Sequence, residues 1–343
     1  MAGLTTTLAA LARYRQALAE PNVGADLREI GDLADNPAGL RGFAFVPETL
    51  APGAGLVVAL HGCAETACQF DLACGWSALA RRHGFAVLLP EQVVGNNPAG
   101  CFNWFRADQQ SPAGTEARSV VAMVDAMVTR HRVDPRRVYA FGLSAGGAMA
   151  AALLCMYPMR FAAGAILAGM PFAQAHTLAE GTRLMAHGTD LPAGALAEAA
   201  RRAAGVAGPW PPVQIWQGLL DTVVAPANAE ALTRQFLGLN GLPEAPGAVT
   251  VTPAARWEIW RDRSGREVVT KILLPLLGHA VPLSLAAPDP DQQAGRAGPF
   301  AQEAGLAASW HIARAFGLVA ARAAPRRAGA HSGWKWPFGH GSD

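Results

Sequence analysis

The chain is short of charge and of cysteine, and each shortage excludes something. Of its 343 residues, 16% are charged and the formal net charge is +2, too little to draw in nucleic acid or an acidic polymer. The basic residues are scattered, apart from Arg81-Arg82, Arg136-Arg137, Arg201-Arg202 and Arg326-Arg327. The five cysteines (Cys63, Cys68, Cys74, Cys101, Cys155) are an odd number and contain no C-x-x-C pair. Neither a zinc site nor a dithiol redox motif is suggested, and no metal or cofactor is expected. Internal repeats are not visible. Met1–Arg13 has no basic segment ahead of an apolar run, which makes a poor secretory signal and points to the cytoplasm. The uncharged run Val138–Met159 would attract a hydropathy window, but a Gly-Leu-Ser-Ala-Gly-Gly break interrupts it and Pro158 lies in its last turn. No membrane span is expected there.

Apolar residues are plentiful. At 51% hydrophobic the chain can bury a large core, which excludes global disorder. At about 150 residues per domain, the length allows one large domain or two. Arg137-Val-Tyr-Ala-Phe-Gly142 reads as a buried strand, and Ala145 to Leu154 as a nearly apolar helix. Between them, Gly142-Leu-Ser144-Ala-Gly146 fits the G-x-S-x-G nucleophile elbow. A serine at the apex of so sharp a turn needs neighbours without bulk two residues to either side, and the helix N-terminus aims free N–H groups at its oxygen.

Taken in order, residues 1–38 read as a helical lead-in, with helical spacing at Leu8–Leu18. Residues 39–317 alternate strands and helices. Strands are expected at 42–46 (an edge strand), 56–60, 85–89, 138–142, 163–167, 212–216, 257–260 and 268–274. Helices are expected at 69–82, 115–131, 228–237 and 300–316. The Ala-, Gly- and Pro-rich stretch at about 170–210, with a helical patch at 195–204, reads as an insertion over the site. Residues 318–343 read as a flexible basic tail holding the cluster Trp334-Lys-Trp-Pro-Phe338. This alternation implies a doubly wound and mostly parallel sheet with helices on both faces, and the elbow motif within it makes an α/β-hydrolase fold the expectation.

An elbow serine needs a base, and the base needs a group to orient it. His279 follows a strand-like run and sits beside Gly278 in a loop, the setting expected of the base. Asp221 lies just beyond a predicted strand and is the expected acid; Asp190 is the rival, with no buried strand leading to it. The backbone N–H groups of Ala145 and Cys63, the latter in His61-Gly62-Cys63, are the oxyanion-hole candidates.

These residues resemble the esterase family of poly(3-hydroxybutyrate) depolymerases, related to feruloyl and acetylxylan esterases. The resemblance rests on Val-Ala-Leu-His61-Gly-Cys63, Gly75-Trp-Ser-Ala-Leu-Ala, Pro90-Glu-Gln, Asn96-Asn-Pro, Cys101-Phe-Asn-Trp-Phe, the elbow and Gly298-Pro-Phe, and covers about residues 40–317. It implies Ser144 as nucleophile, Asp221 as acid and His279 as base. The chain departs from the family at Gln217-Gly218, usually His-Gly, at Leu219, often a small residue, and at Gly278-His279-Ala280, often Gly-His-Gly. The expectation is a serine esterase acting through an acyl-enzyme on poly(3-hydroxybutyrate) or 3-hydroxyalkanoate oligomers. Feruloyl or acetylxylan esterase is the runner-up, and a catalytically inactive hydrolase-fold binding protein the alternative of another class. No polymer-binding module or Ser/Thr-rich linker is seen. The family resemblance makes a secreted, extracellular enzyme the alternative to a cytoplasmic, granule-associated one. Cys63 and Cys101 lie in loops expected at one sheet edge and both fall within the resemblance, so a disulfide between them is expected. His61, Phe102, Trp104 and Phe105 are the expected substrate contacts, Trp104 being the exposed member. The oligomeric state is left open.

Overall fold

The computed structural model describes residues 26–33 and 35–319. The expected helix at Leu8–Leu18 and the cluster Trp334–Phe338 lie outside the described residues. Ten strands form one sheet: β1 (Arg28–Glu29), β2 (Arg41–Phe45), β3 (Leu56–Leu60), β4 (Ala86–Glu91), β5 (Val138–Leu143), β6 (Ala163–Leu167), β7 (Val213–Gly218), β8 (Ala248–Val251), β9 (Arg256–Arg261) and β10 (Glu267–Leu274). Their order is β1-β2-β4-β3-β5-β6-β7-β10-β9-β8. From β4 to β10 all neighbours are parallel, and antiparallel pairs close both ends. A small parallel pair, β11 (Val281–Leu283) and β12 (Ala301–Glu303), stands apart. This is the α/β-hydrolase layout.

The continuous apolar runs are explained by burial on two sides. Leu56, Val58 and Leu60 of β3 face one core, with helices Thr115–His131, Ala145–Met156, Ala193–Ala204 and Ala227–Asn240. Val57 and Ala59 face the other, with helices Ala67–Cys74, Trp76–His83 and Ala308–Ala315. Among the described residues, no helix is long and apolar enough to cross a membrane.

Several expectations are corrected. The helix expected over 69–82 breaks in two at Gly75, whose φ is +72° and whose missing Cβ leaves room for the Ala294 backbone. The closing helix covers only Ala308–Ala315, because residues 301–303 pair with β11. The strand at 42–46 is not the edge, since β1 lies outside it. Within 170–210, helix Ala193–Ala204 packs into the core, whereas helix Leu178–His187 lies against the loop carrying Trp104 and Phe105. Leu318 and Val319 are buried, two residues past the boundary expected for the tail.

Candidate active site

Ser144 directly follows β5 with φ 58° and ψ −119°, a conformation that costs a non-glycine residue energy and survives only where its surroundings enforce it. The enforcement comes from main-chain packing. A Cβ on Gly142 would collide with the Gly146 carbonyl, and one on Gly146 with the carbonyls of Leu60 and His61. The Ser144 N–H donates to the Leu167 carbonyl at 2.9 Å. Helix Ala145–Met156, buried along its whole length, then starts directly beneath the serine.

The loops after β5, β7 and β10 leave the sheet at its C-terminal edge, where doubly wound folds place their sites. Two bonds tie the last two loops together, Leu219 N–H to the Leu274 carbonyl at 2.9 Å and Leu220 N–H to the Leu277 carbonyl at 3.0 Å. Asp221 is buried and its carboxylate is fully used. Oδ1 accepts the N–H groups of Val223 and Val224, both at 2.8 Å. Oδ2 accepts Nδ1–H of His279 at 2.7 Å and Nε2–H of Gln217 at 3.3 Å. Since the carboxylate only accepts, the His279 proton sits on Nδ1, leaving Nε2 as the basic nitrogen. No direct hydrogen bond joins His279 to Ser144, a contact that is often long without substrate. Asp190 is exposed beyond helix Leu178–His187, and the carboxylate paired with His279 is that of Asp221.

The loop after β3 is pinned from several sides. Nδ1–H of His61 donates to the Gly62 carbonyl at 2.7 Å, while Nε2 accepts the Gln92 N–H at 3.0 Å. Glu65 Oε2 accepts the Gly62 N–H at 2.8 Å. Ala64 N–H donates to the Ala99 carbonyl at 2.9 Å, and a disulfide joins Cys63 to Cys101. In a trans peptide N–H and C=O point opposite ways, so fixing the Gly62 carbonyl on His61 aims the Cys63 N–H away from the ring. The Cys63 and Ala145 N–H groups have no acceptor within the described chain, and a Cβ built on Gly62 would lie 3.5 Å from Ser144 Cβ. His61, expected among the substrate contacts, is instead 1% exposed, with both ring nitrogens spent on backbone. Burial lowers its pKa to about 4 and raises that of Glu65 to about 8.

The expected aromatic wall is also revised. Phe102 is fully buried, 5.0 Å from the His61 ring. Trp104 is 8% exposed, lies under Gly181 and meets Phe105 edge-on at 5.6 Å. Phe105, not Trp104, is the partly exposed member. Glu116 clamps this loop, accepting Nε2–H of Gln92 at 2.7 Å, and the N–H and Nδ2–H of Asn103 at 2.8 and 2.6 Å. Glu65 and Glu116 were not among the residues the sequence pointed to, and Gln92 entered only within the motif Pro90-Glu-Gln, with no role assigned. The available signal was a carboxylate or amide within a few residues of each loop motif in a chain otherwise poor in charge. Among the described residues, no group of three or more His, Cys, Asp or Glu could hold a metal ion.

Residues 44–259 match the esterase PHB depolymerase family. The chain belongs to it. As a member of the esterase PHB depolymerase family it is a carboxylic ester hydrolase. It is 35% identical over 297 residues to poly(3-hydroxyalkanoate) depolymerase C of Paucimonas lemoignei, spanning 85% of this chain and 70% of that one. It is 31% identical over 247 residues to feruloyl esterase B of Thermothelomyces thermophilus, spanning 70% and 84%. In structure it resembles an acetyl xylan esterase from Aspergillus awamori, with a TM-score of 0.68, 24% identity, and 74% and 94% of the two chains covered. That likeness bears on the fold.

Proposed function

We propose that this esterase is a serine hydrolase that cleaves 3-hydroxyalkanoate polyesters or their oligomers through an acyl-enzyme on Ser144. The observation that carries the chemistry is the 2.7 Å pair between His279 and Asp221, on loops neighbouring a strained serine. Nε2 of His279 takes the Ser144 hydroxyl proton as Oγ attacks the ester carbonyl. The N–H groups of Cys63 and Ala145 receive the oxyanion, each worth about 3–4 kcal/mol. His279 then hands its proton to the leaving alkoxide, and the acyl-enzyme is cleared by water that His279 deprotonates. Asp221 holds the Nδ1–H tautomer and stabilises the imidazolium. Support for the substrate is the identity with a polyhydroxyalkanoate depolymerase over most of the chain. The similarity to feruloyl esterase B supports the second reading, an esterase of feruloyl or acetylxylan esters.

Labelling with a fluorophosphonate tests the nucleophile: adduct on Ser144 is expected, and an unlabelled protein would make the chain an inactive hydrolase-fold binder. Hydrolysis of hydroxybutyrate oligomers, feruloyl esters and acetylated xylan, run side by side, tests the substrate. Preference for a sugar ester would overturn the polyester reading and leave the nucleophile standing.

A further inference from the structure

The two loops that carry the acid and the base have almost no charge. Residues 213–229 hold no charged side chain but Asp221, and 272–288 no titratable one but His279. Both of those are turned inward, at 0% and 10% side-chain exposure. What the loops turn outward is aliphatic: Leu219 is 43% exposed, Leu220 58%, Val223 46% and Leu276 86%. These are four of the eleven large apolar residues exposed among the described residues. Single exposed leucines need no explanation, but a cluster does. The bonds from Leu219 to Leu274 and from Leu220 to Leu277 put the two loops side by side, so the four residues belong to one edge, beside His279.

We propose that Leu219, Leu220, Val223 and Leu276 form an adsorption rim that seats the enzyme on the surface of a water-insoluble aliphatic polyester. The proposal rests on the polyester reading above and goes beyond it by assigning residues to the capture of solid substrate, a step before ester cleavage. The rim's chemistry selects this occupant. Without charge it offers nothing to an anionic headgroup, and its aliphatic side chains present few hydrogen bonds to a polysaccharide. An aliphatic polyester surface gains from burying them. The rim is continuous with the loops holding Asp221 and His279, so a surface resting on it is presented to Ser144.

The test compares wild type, Leu276→Glu and the double variant Leu220→Glu/Leu276→Glu. Val249→Glu is the control, since Val249 is 45% exposed within edge strand β8, separated from β10 by β9 and outside the loops that follow β7 and β10. Adsorption to amorphous poly(3-hydroxybutyrate) particles, their hydrolysis, and turnover of soluble nitrophenyl butyrate are measured. The rim variants are expected to lose about tenfold or more in adsorption and in particle hydrolysis, with soluble turnover within about twofold of wild type. Val249→Glu should behave as wild type. The proposal is overturned if wild type does not adsorb, if Leu276→Glu adsorbs normally, or if Val249→Glu loses as much. It is also overturned if the variants abolish a dimer rather than adsorption, which would give the rim to a second copy. Should Leu220→Glu reduce soluble turnover, Leu276→Glu alone decides, because Leu276 is the most exposed of the four. Wild type that hydrolyses no ester at all refutes the esterase reading instead, so the two failures are distinguishable.

Discussion

His61 and Gln92 meet through one hydrogen bond: the ring Nε2 of His61 accepts the backbone N–H of Gln92 at 3.0 Å. With Nδ1–H given to the Gly62 carbonyl, the ring works only when neutral, and burial lowers its pKa from 6.5 to about 4. Between those values the unfolded chain binds a proton that the native state refuses. The group's contribution to stability is therefore complete above pH 6.5 and is lost as pH falls towards 4. Nitrogen-15 NMR of the histidines should show His61 as the Nδ1–H tautomer at pH 6, with denaturant stability declining below that pH. An imidazolium signal from His61 at pH 6 would refute the clamp.

Glu65 carries the opposite sign. Its pKa is raised from 4.5 to about 8 by burial, so over that interval the native state holds a proton that the unfolded chain has lost. The stability due to this group is present below pH 4.5 and disappears as pH rises to 8. In Glu65→Gln the amide oxygen still accepts the Gly62 N–H and nothing titrates. The variant should gain on wild type with rising pH, by an amount on the order of a few kcal/mol at pH 8. Chemical denaturation at pH 5 and pH 8 checks this, and an equal gap at both pH values sinks it.

Ser144→Ala and His279→Ala should each cost about 10⁶ in turnover number while leaving the fold intact. Asp221→Asn should cost roughly 10⁴, because an asparagine in that place favours the wrong His279 tautomer. Asp190→Asn should cost nothing. Steady-state kinetics on a nitrophenyl ester decides, and the acid is misassigned if the two aspartate variants exchange behaviours.

Gly146→Ala should destabilise the protein by about 3 kcal/mol or more, since the added methyl meets main-chain carbonyls that cannot rotate away. Urea unfolding measures it; a neutral substitution would mean that the elbow has slack.

Trp104→Ala should behave as a core truncation, losing about 3–5 kcal/mol and reducing turnover of all esters together. Phe105→Ala should change stability less and shift the preference between short and bulky esters. Thermal melts paired with kinetics on both substrates separate the two. If Trp104→Ala kept its melting temperature, the burial of that ring would be contradicted.

Most of the sheet was legible because its cause is local. Leu56–Leu60 and Ala163–Leu167 are apolar at every position, which only strands covered on two faces sustain. The elbow was legible because its glycines are two residues from Ser144, and the pairing of Asp221 with His279 because each lies in a loop that follows a strand end. What was not legible depends on distant partners. The break at Gly75 is set by Ala294, and the burial of Trp104 by Gly181. The duty of His61 is set by the amide of Gln92, thirty-one residues on. Strands β11 and β12 are three residues each, too short for a period to register.

The elbow is gripped by carbonyl groups of Leu60, His61 and Leu167, and every residue contributes the same carbonyl whatever its side chain. Substitutions can crowd that grip but cannot redesign it. Side chains that turn outward from the neighbouring loops, such as Leu220 and Leu276, are free of that grip, so substitution there leaves the geometry of attack unaltered.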